Sequence, residues 1–376
     1  MKEYIKFNPG SETSEKYREW QGCPTIAITK GGRMFAGWYT GGAFEPCIDN
    51  FNVLIMSDDH GETWSKPILA VYTDYANRMR NIDIQLWVDD NNRLWVMWTH
   101  SPYNEGCRRS TIRTPYDSEN LHKEFVGVEA LICDDPDADE LKWHEPRDIC
   151  FGFLRCKPVI VGERYIFPAY DWVHEDNYYL RYSDDRGETF YDVPAAKKMG
   201  TRAFDETMVY EYMGRLRMLT RTNSGCIAYS DSFDAGKTWT ETKEYQKAPS
   251  ARFYIGYLKC GLLALVRAID NEKRMGMKIC LSDDGGESWK WEFTLDTREN
   301  LSYPDLCEDD SGNIYIIYDR ERDNRIKLDK ETWMSASAKE ILVSKITVND
   351  IKTGELSDGS YLSKVISKAK VDFASK

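Results

Sequence analysis

The chain has 376 residues, 41% of them hydrophobic and 30% charged, with 23 Tyr, 14 Phe, 12 Trp and a formal net charge of −12. So much apolar and aromatic surface excludes a disordered chain. The acidic balance without a clustered Lys/Arg face excludes a general nucleic-acid binder, because phosphate neutralisation needs such a face. No run of residues is long and apolar enough for a membrane span, and the stretch from Met1 to Pro9 lacks the apolar centre of a signal peptide. The expectation is a cytoplasmic protein with no membrane partner. Ten cysteines are scattered without CxxC or zinc spacing, mostly among apolar neighbours, as at Cys150, Cys156, Cys260, Cys280 and Cys307. They read as reduced packing residues, and neither a metal nor a cofactor is expected.

In chain order the first elements are short apolar strands broken by Gly, Asn or Asp turns, at 24–29 and 34–38. The segment Ser57-Asp-Asp-His-Gly-Glu-Thr-Trp64 follows them. Residues 80–150 hold Leu86-Trp-Val and Arg93-Leu-Trp-Val-Met-Trp98 as strands but only a degenerate turn at 134–143. The earlier segment then recurs as Ser183-Asp-Asp-Arg-Gly-Glu-Thr-Phe190, as Ser230 to Trp239 read with a two-residue insertion, and as Ser282-Asp-Asp-Gly-Gly-Glu-Ser-Trp289. The last three copies start 47 and 52 residues apart and the first two 126 apart. Such periods suit one four-stranded blade per repeat, with a blade lacking the turn between the first two copies. Strands at 313–318 and 341–346 complete a final blade. The chain is therefore expected to be all-β: one six-bladed β-propeller domain, residues 1–376, with four-stranded antiparallel blades.

The recurring segment is itself a turn. Its Ser and Asp side chains can bond nearby backbone N–H groups, its Gly can take φ > 0, and its terminal aromatic can pack beneath. These copies are expected to be structural and remote from chemistry. Function is expected where the first strand of each blade begins beside the axis. The polar residues there are Gln21 and Gly22, Arg80 to Gln85, Lys157, Arg202 to Glu206, Arg252 to Tyr254, and Ser302 to Asp305. Two of these stretches, RNIDIQLW and RAFDETMV, share R-x-x-D-x-x-apolar, which sets Asp83 against Asp205.

The recurring segment matches the Asp-box, S-x-D-x-G-x-T-W, and the chain resembles the sialidases and their BNR-repeat relatives. That resemblance implies an exo-glycoside hydrolase with arginines for a substrate carboxylate, a Tyr/Glu nucleophilic pair and an acidic acid/base. Glu206-Thr-Met-Val-Tyr-Glu211 with Gly214 to Arg221 resembles the stretch bearing the Glu and one binding Arg. Leu301-Ser-Tyr303-Pro-Asp-Leu resembles the one bearing the Tyr. Arg274 falls where another binding Arg is expected. Tyr303, Glu206 and Asp49 are thus the catalytic candidates, Asp49 being preferred over Glu45 on the same loop. Arg221, Arg274, Arg80, Arg202, Arg252, Asp83 and Asp205 are the substrate-binding candidates.

The chain departs from the family at Gln21-Gly22-Cys23-Pro24, where sialidases carry R-I-P. The expected substrate is an oligosaccharide or glycoconjugate with a terminal acidic sugar, sialic acid foremost. A different glycoside, a uronate lyase reaction or a non-catalytic binding propeller are the alternatives. His100 could face the pocket. Trp20, Trp38, Tyr39, Trp87 and Trp172 could stack on sugar or fill the core.

Overall fold

The computed structural model describes residues 1–370 except 43–44, 46–47, 103–126, 171–175, 201–203, 321–324, 328–332 and 336–338, with backbone alone at 325–327 and 333–335. Arg202 and Trp172 lie outside the described residues. Six antiparallel sheets follow one another along the chain, spanning 20–71, 79–151, 159–197, 207–247, 254–299 and 302–368. They are the blades of the expected propeller. Each has four strands in sequence order, and the first gains a fifth at its outer edge, where Ile5–Phe7 pairs with Leu69–Val71. A separate pair, Arg325–Lys327 and Trp333–Ser335, sits within the last blade's connection. Among the described residues no helix is long and apolar enough to cross a membrane.

Apolar alternation makes these segments strands, and the buried faces meet between blades. Trp87 of the second blade packs edge-on against Tyr165 and Phe167 of the third, with ring centroids 5.0 and 5.7 Å away. It is inter-blade core. Among the described residues the first and last blades exchange no strand, and the ring closes through a shared apolar cluster, with Ile26 and Trp38 among Tyr315, Ile317 and Val343, together with buried polar contacts. Thr25 Oγ1 and the Ile26 N–H donate to Asp305 Oδ2 at 2.7 and 3.0 Å, and the Cys23 N–H donates to Asp319 Oδ2 at 2.8 Å. Ser367 Oγ accepts from Arg18 at 3.0 Å and donates to Gln21 at 3.2 Å. Desolvated groups of this kind are costly to leave unpaired, so they define the closed state sharply.

The recurring turns have the expected wiring, with one change of register. In the first, Ser57 Oγ donates to Asp59 at 2.7 Å and accepts from the Gly61 N–H at 2.9 Å, while the Thr63 N–H donates to Asp59 at 2.9 Å. The third copy repeats this from Ser232, with Ser232 to Asp234 at 2.8 Å, Gly236 N–H to Ser232 at 2.9 Å and Thr238 N–H to Asp234 at 2.8 Å. It therefore reads Ser232-Phe-Asp-Ala-Gly-Lys-Thr-Trp239 without an insertion. Ser230, two residues earlier on the same face of the strand, instead donates to the Thr240 carbonyl at 2.7 Å. The last three turns then start at Ser183, Ser232 and Ser282, 49 and 50 residues apart.

One irregularity of the innermost strands positions the site. Pairing of the first and second strands skips between Gly22 and Thr25, between Ile82 and Gln85, and between Ser302 and Asp305. At each skip two residues oppose one, a β-bulge that re-aims a side chain. Its first residue, Cys23, Asp83 or Tyr303, has φ of 53, 60 and 52°. Left-handed backbone at such residues costs on the order of 1–3 kcal/mol and concentrates at functional sites. In the other blades, counting back from the residues paired to Tyr165, Leu216 and Leu263 brings Arg155, Glu206 and Arg252 to the same position. Cys23, Asp83, Arg155, Glu206, Arg252 and Tyr303 thus form one ring about the axis. Asp83 is matched by Glu206, one residue beyond the Asp205 that the shared sequence pattern suggests.

Two residues further along lies a second ring that acts as a floor. Gln85 donates to Thr25 at 2.8 Å, Thr25 bonds Asp305, and Lys157 is salt-bridged to Asp305 and donates to the Ile26 carbonyl at 2.6 Å. Thr25, Gln85 and Asp305 are buried, which closes the axis beneath the first ring.

Candidate active site

The first ring brings residues from distant parts of the chain into one cluster. Tyr303 Oη donates to Glu206 Oε1 at 2.8 Å, and Arg221 Nη1 donates to Glu206 Oε2 at 2.8 Å. Arg221 ends the second strand of the same blade, and its N–H also donates to the Glu206 carbonyl at 3.1 Å. Both oxygens of Glu206 are thereby engaged. Arg221 Nε reaches Ser250 Oγ at 3.1 Å, and Arg274 reaches the Ser250 carbonyl and Ser302 Oγ, each at 3.2 Å. Ser250 so joins the two arginines, and Ser302, the residue beside Tyr303, holds Arg274.

The electrostatics follow from burial and charge. Burial opposes ionisation of Glu206, but the positive charges of Arg221 and Arg155 and the hydrogen bonds from Arg221 and Tyr303 more than offset it, holding its carboxyl below the ordinary range. Burial and the Glu206 charge hold the Tyr303 phenol well above its ordinary value despite Arg155. At neutral pH the pair is a carboxylate accepting from a neutral phenol. A carboxylate in that state can take the phenolic proton only as the oxygen begins to bond elsewhere.

Arg155 is the residue that sequence reading missed. It reaches across the axis: Nη2 lies 2.6 Å from Asp83 Oδ1, Nη1 donates to Cys23 Sγ at 2.7 Å, and the guanidinium lies 5.2 Å from the Tyr303 ring and 5.9 Å from the Tyr39 ring. Aligning the six blades at the bulge would have found it, since the polar start assigned to the third blade, Lys157, belongs to the floor. Desolvation raises the Asp83 pKa to about 6, with Glu206 adding to that and Arg155 opposing it.

The remaining candidates are placed as follows. Arg252 occupies the ring but turns toward the floor, donating to the Pro304 carbonyl at 2.8 Å and lying 3.7 Å from Asp305. Arg80 bonds Ser101 and the Pro102 carbonyl, each at 3.4 Å. Asp205 is held by Lys198 at 2.6 Å. On the 41–50 loop, Glu45 takes a hydrogen bond from Tyr39 Oη and lies 3.5 Å from Cys23 Sγ, whereas Asp49 is exposed and accepts from Tyr75 Oη at 3.4 Å. Glu45 is the loop carboxylate brought to the ring. Trp20 lies beneath Tyr39, with centroids 4.6 Å apart, and Trp38 donates to Gln21 at 3.1 Å. His100 stacks on Tyr4 at 5.8 Å and pairs with Asn81 at 2.6 Å, in a contact that secures the N-terminal segment. Among the described residues no group of His, Cys, Asp and Glu could hold a metal ion.

The model of the BNR repeat-like domain matches residues 49–316, well over half of the chain. The chain belongs to that family. A curated relative, an anhydrosialidase of the leech Macrobdella decora, is 26% identical over 187 residues, which are 44% of this chain and 24% of the relative. The match thus spans about a quarter of that protein. Among solved structures, the Hadza microbial sialidase Hz136 superimposes with a TM-score of 0.67 at 19% identity, covering 89% of this chain and 67% of the other. The intramolecular trans-sialidase of Ruminococcus gnavus gives 0.67 at 16% identity, covering 92 and 98%. At these identities the likeness is one of fold.

Proposed function

We propose that this family member is a retaining exo-glycosidase that removes a terminal acidic sugar of the sialic acid type. The observation that carries the reading is the Tyr303–Glu206–Arg221 relay, buried at the axis and joined by two 2.8 Å hydrogen bonds. In the first step Tyr303 Oη attacks the anomeric carbon and its proton passes to Glu206 Oε1. The aglycone oxygen departs with a proton from the Glu45 carboxyl group. In the second step water attacks the glycosyl-tyrosine, Glu45 takes the water's proton, and Glu206 returns the first proton to Tyr303. Atoms and charges balance over the cycle.

A tyrosine suits a sugar with a carboxylate on its anomeric carbon, since a neutral phenol escapes the repulsion a second anion would meet. Arg221 and Arg274, joined through Ser250, supply charge-assisted hydrogen bonds to that carboxylate. The names of the relatives, sialidases and intramolecular trans-sialidases, agree with such a substrate. Gly22 and Cys23 in place of R-I-P favour a second reading, a neutral glycoside. Incubation with 3′-sialyllactose and with a panel of neutral aryl glycosides separates the two. Release of lactose with an α-configured first product supports the proposal, and a product one water lighter identifies intramolecular transfer. Cleavage of neutral glycosides alone overturns it.

A further inference from the structure

We propose that Arg155, entering from the third blade and oriented by Asp83, is the specificity-determining cation that takes over the anion-binding role left vacant on the first strand. The inference rests on the acidic-sugar reading above. Three observations carry it. First, Gly22 has no side chain, and its neighbour Cys23 is the residue against which the Arg155 guanidinium ends, Nη1 to Sγ at 2.7 Å. A long side chain from across the axis therefore brings positive charge to the place where the first strand lacks it.

Second, the guanidinium is placed for recognition as well as for structure. It has five N–H donors, of which Nη1 donates one to Cys23 while Nη2 is ion-paired with Asp83. Both terminal nitrogens therefore keep N–H groups for a ligand, and the side chain keeps 11% of its surface accessible. Arginine in this setting binds a carboxylate by its planar fork, for which lysine is a poor substitute. Third, its position ties anion binding to the nucleophile. The guanidinium carbon lies 5.2 Å from the centroid of the Tyr303 ring, so an anion on Arg155 would bind next to the side chain that carries the nucleophile.

Asp83 is the positioning residue. Its bulge conformation aims the carboxylate at the axis, where it holds Nη2 at 2.6 Å and balances the buried charge before substrate arrives. Without it Arg155 would carry an uncompensated charge in a desolvated ring.

The test uses the full chain and 2-deoxy-2,3-didehydro-N-acetylneuraminic acid, with its C1 carboxamide as the neutral counterpart, measured by calorimetry alongside steady-state kinetics. In Arg155→Ala the acid binds about 10- to 150-fold more weakly, the loss that follows from one charge-assisted contact. KM rises more than kcat falls, and the preference for acid over carboxamide shrinks by a similar factor. Added guanidinium ion restores binding, and Arg155→Lys lies between the alanine variant and the wild type. A purely structural Arg155 would lower the melting temperature but leave the acid-to-carboxamide preference intact. That result, or acid binding within about twofold of the wild type, overturns the inference while the acidic-sugar reading stands. If the wild type itself ignores the acid and cleaves only neutral glycosides, that reading fails and the inference with it. Should Arg155→Ala fail to fold, the preference ratio in Arg155→Lys decides.

Discussion

Tyr303 and Glu206 stand 97 residues apart in the chain yet meet through one 2.8 Å hydrogen bond, because each occupies the equivalent axial position of its own blade, at a bulge of the inner strand for Tyr303 and just before that strand for Glu206. The propeller repeats an axial position, bulged in the blades of Cys23, Asp83 and Tyr303, and varies the side chain on it. Six copies place a thiol, two carboxylates, two guanidiniums and a phenol around one axis. Burial and the Glu206 charge keep the phenol neutral, while Arg221 and Arg155 keep its partner ionised against the same burial. If this relay is the reaction centre, Tyr303→Phe will lower hydrolysis of a fluorogenic α-sialoside to the background rate. Glu206→Gln, which keeps the shape but not the base, will lower kcat by about 10²–10⁴-fold. Circular dichroism and urea unfolding should show Tyr303→Phe folded, at a cost of no more than about 3 kcal/mol. Substantial turnover by folded Tyr303→Phe removes the tyrosine from the mechanism.

How much of this was legible before the structure depended on the range of the interactions. The blades were visible because each turn carries its own short pattern of Ser, Asp and Gly, and the bonds it makes stay within a few residues. The third turn was misplaced by two residues for a related reason. Ser230 and Ser232 lie on one face of a strand, and only Asp234 and Gly236 decide which serine closes the turn. Tyr303, Glu206 and Arg221 were reached through resemblance. Arg155 was not, since it matches no family motif and its partners Asp83, Cys23 and Tyr303 come from three other blades. The match of Asp83 to Asp205 failed by one residue because side chains alternate along a strand. One residue is enough to exchange the ring for the Lys198 salt bridge.

Arg221 and Glu206 offer a test of energetics that needs no substrate. Both are buried, and Arg221→Met leaves a desolvated carboxylate without its nearest counter-charge. Removing one partner of a buried pair costs about 3–5 kcal/mol. Urea denaturation should show that loss in Arg221→Met and a smaller one in Arg221→Met/Glu206→Gln, where the orphaned charge is gone too. Equal losses in the two variants would mean that Arg221 contributes through packing and not through charge.

Asp83 sets a pH dependence whose sign can be worked out. Its folded pKa, raised to about 6 by desolvation, lies above the ordinary value of 3.8. The folded state therefore holds this proton more tightly than the unfolded chain does. Stability from this group is full below about pH 4 and is lost as pH rises through 6, by about 3 kcal/mol for a shift of about two units. Glu206 acts in the opposite sense, stabilising above its ordinary pKa and losing that contribution as acid protonates it. Comparing unfolding free energies of the wild type and Asp83→Asn between pH 4 and 7 isolates the first effect. The difference should change with pH across this window, and a constant difference would show that Asp83 keeps an ordinary pKa. The same protonation frees Arg155 from its counter-ion, so wild-type affinity for an acidic ligand should tighten as pH falls through 6 and that of Asp83→Asn should not.

The choice between Glu45 and Asp49 as acid/base can be made with leaving groups. Glu45 is held at the ring by Tyr39 and faces Cys23, whereas Asp49 sits at the exposed rim beside Tyr75. A general acid matters most when the departing oxygen is strongly basic, as in a sialylated disaccharide, and least for an activated phenol. Glu45→Gln should therefore lower kcat/KM for 3′-sialyllactose by about 10²–10⁴-fold while lowering that for a 4-nitrophenyl sialoside by only about 10-fold. Asp49→Asn should leave both within about threefold of the wild type. The reverse pattern, with the selective loss in Asp49→Asn, would require the loop to move Asp49 inward when substrate binds and would return the acid/base role to it.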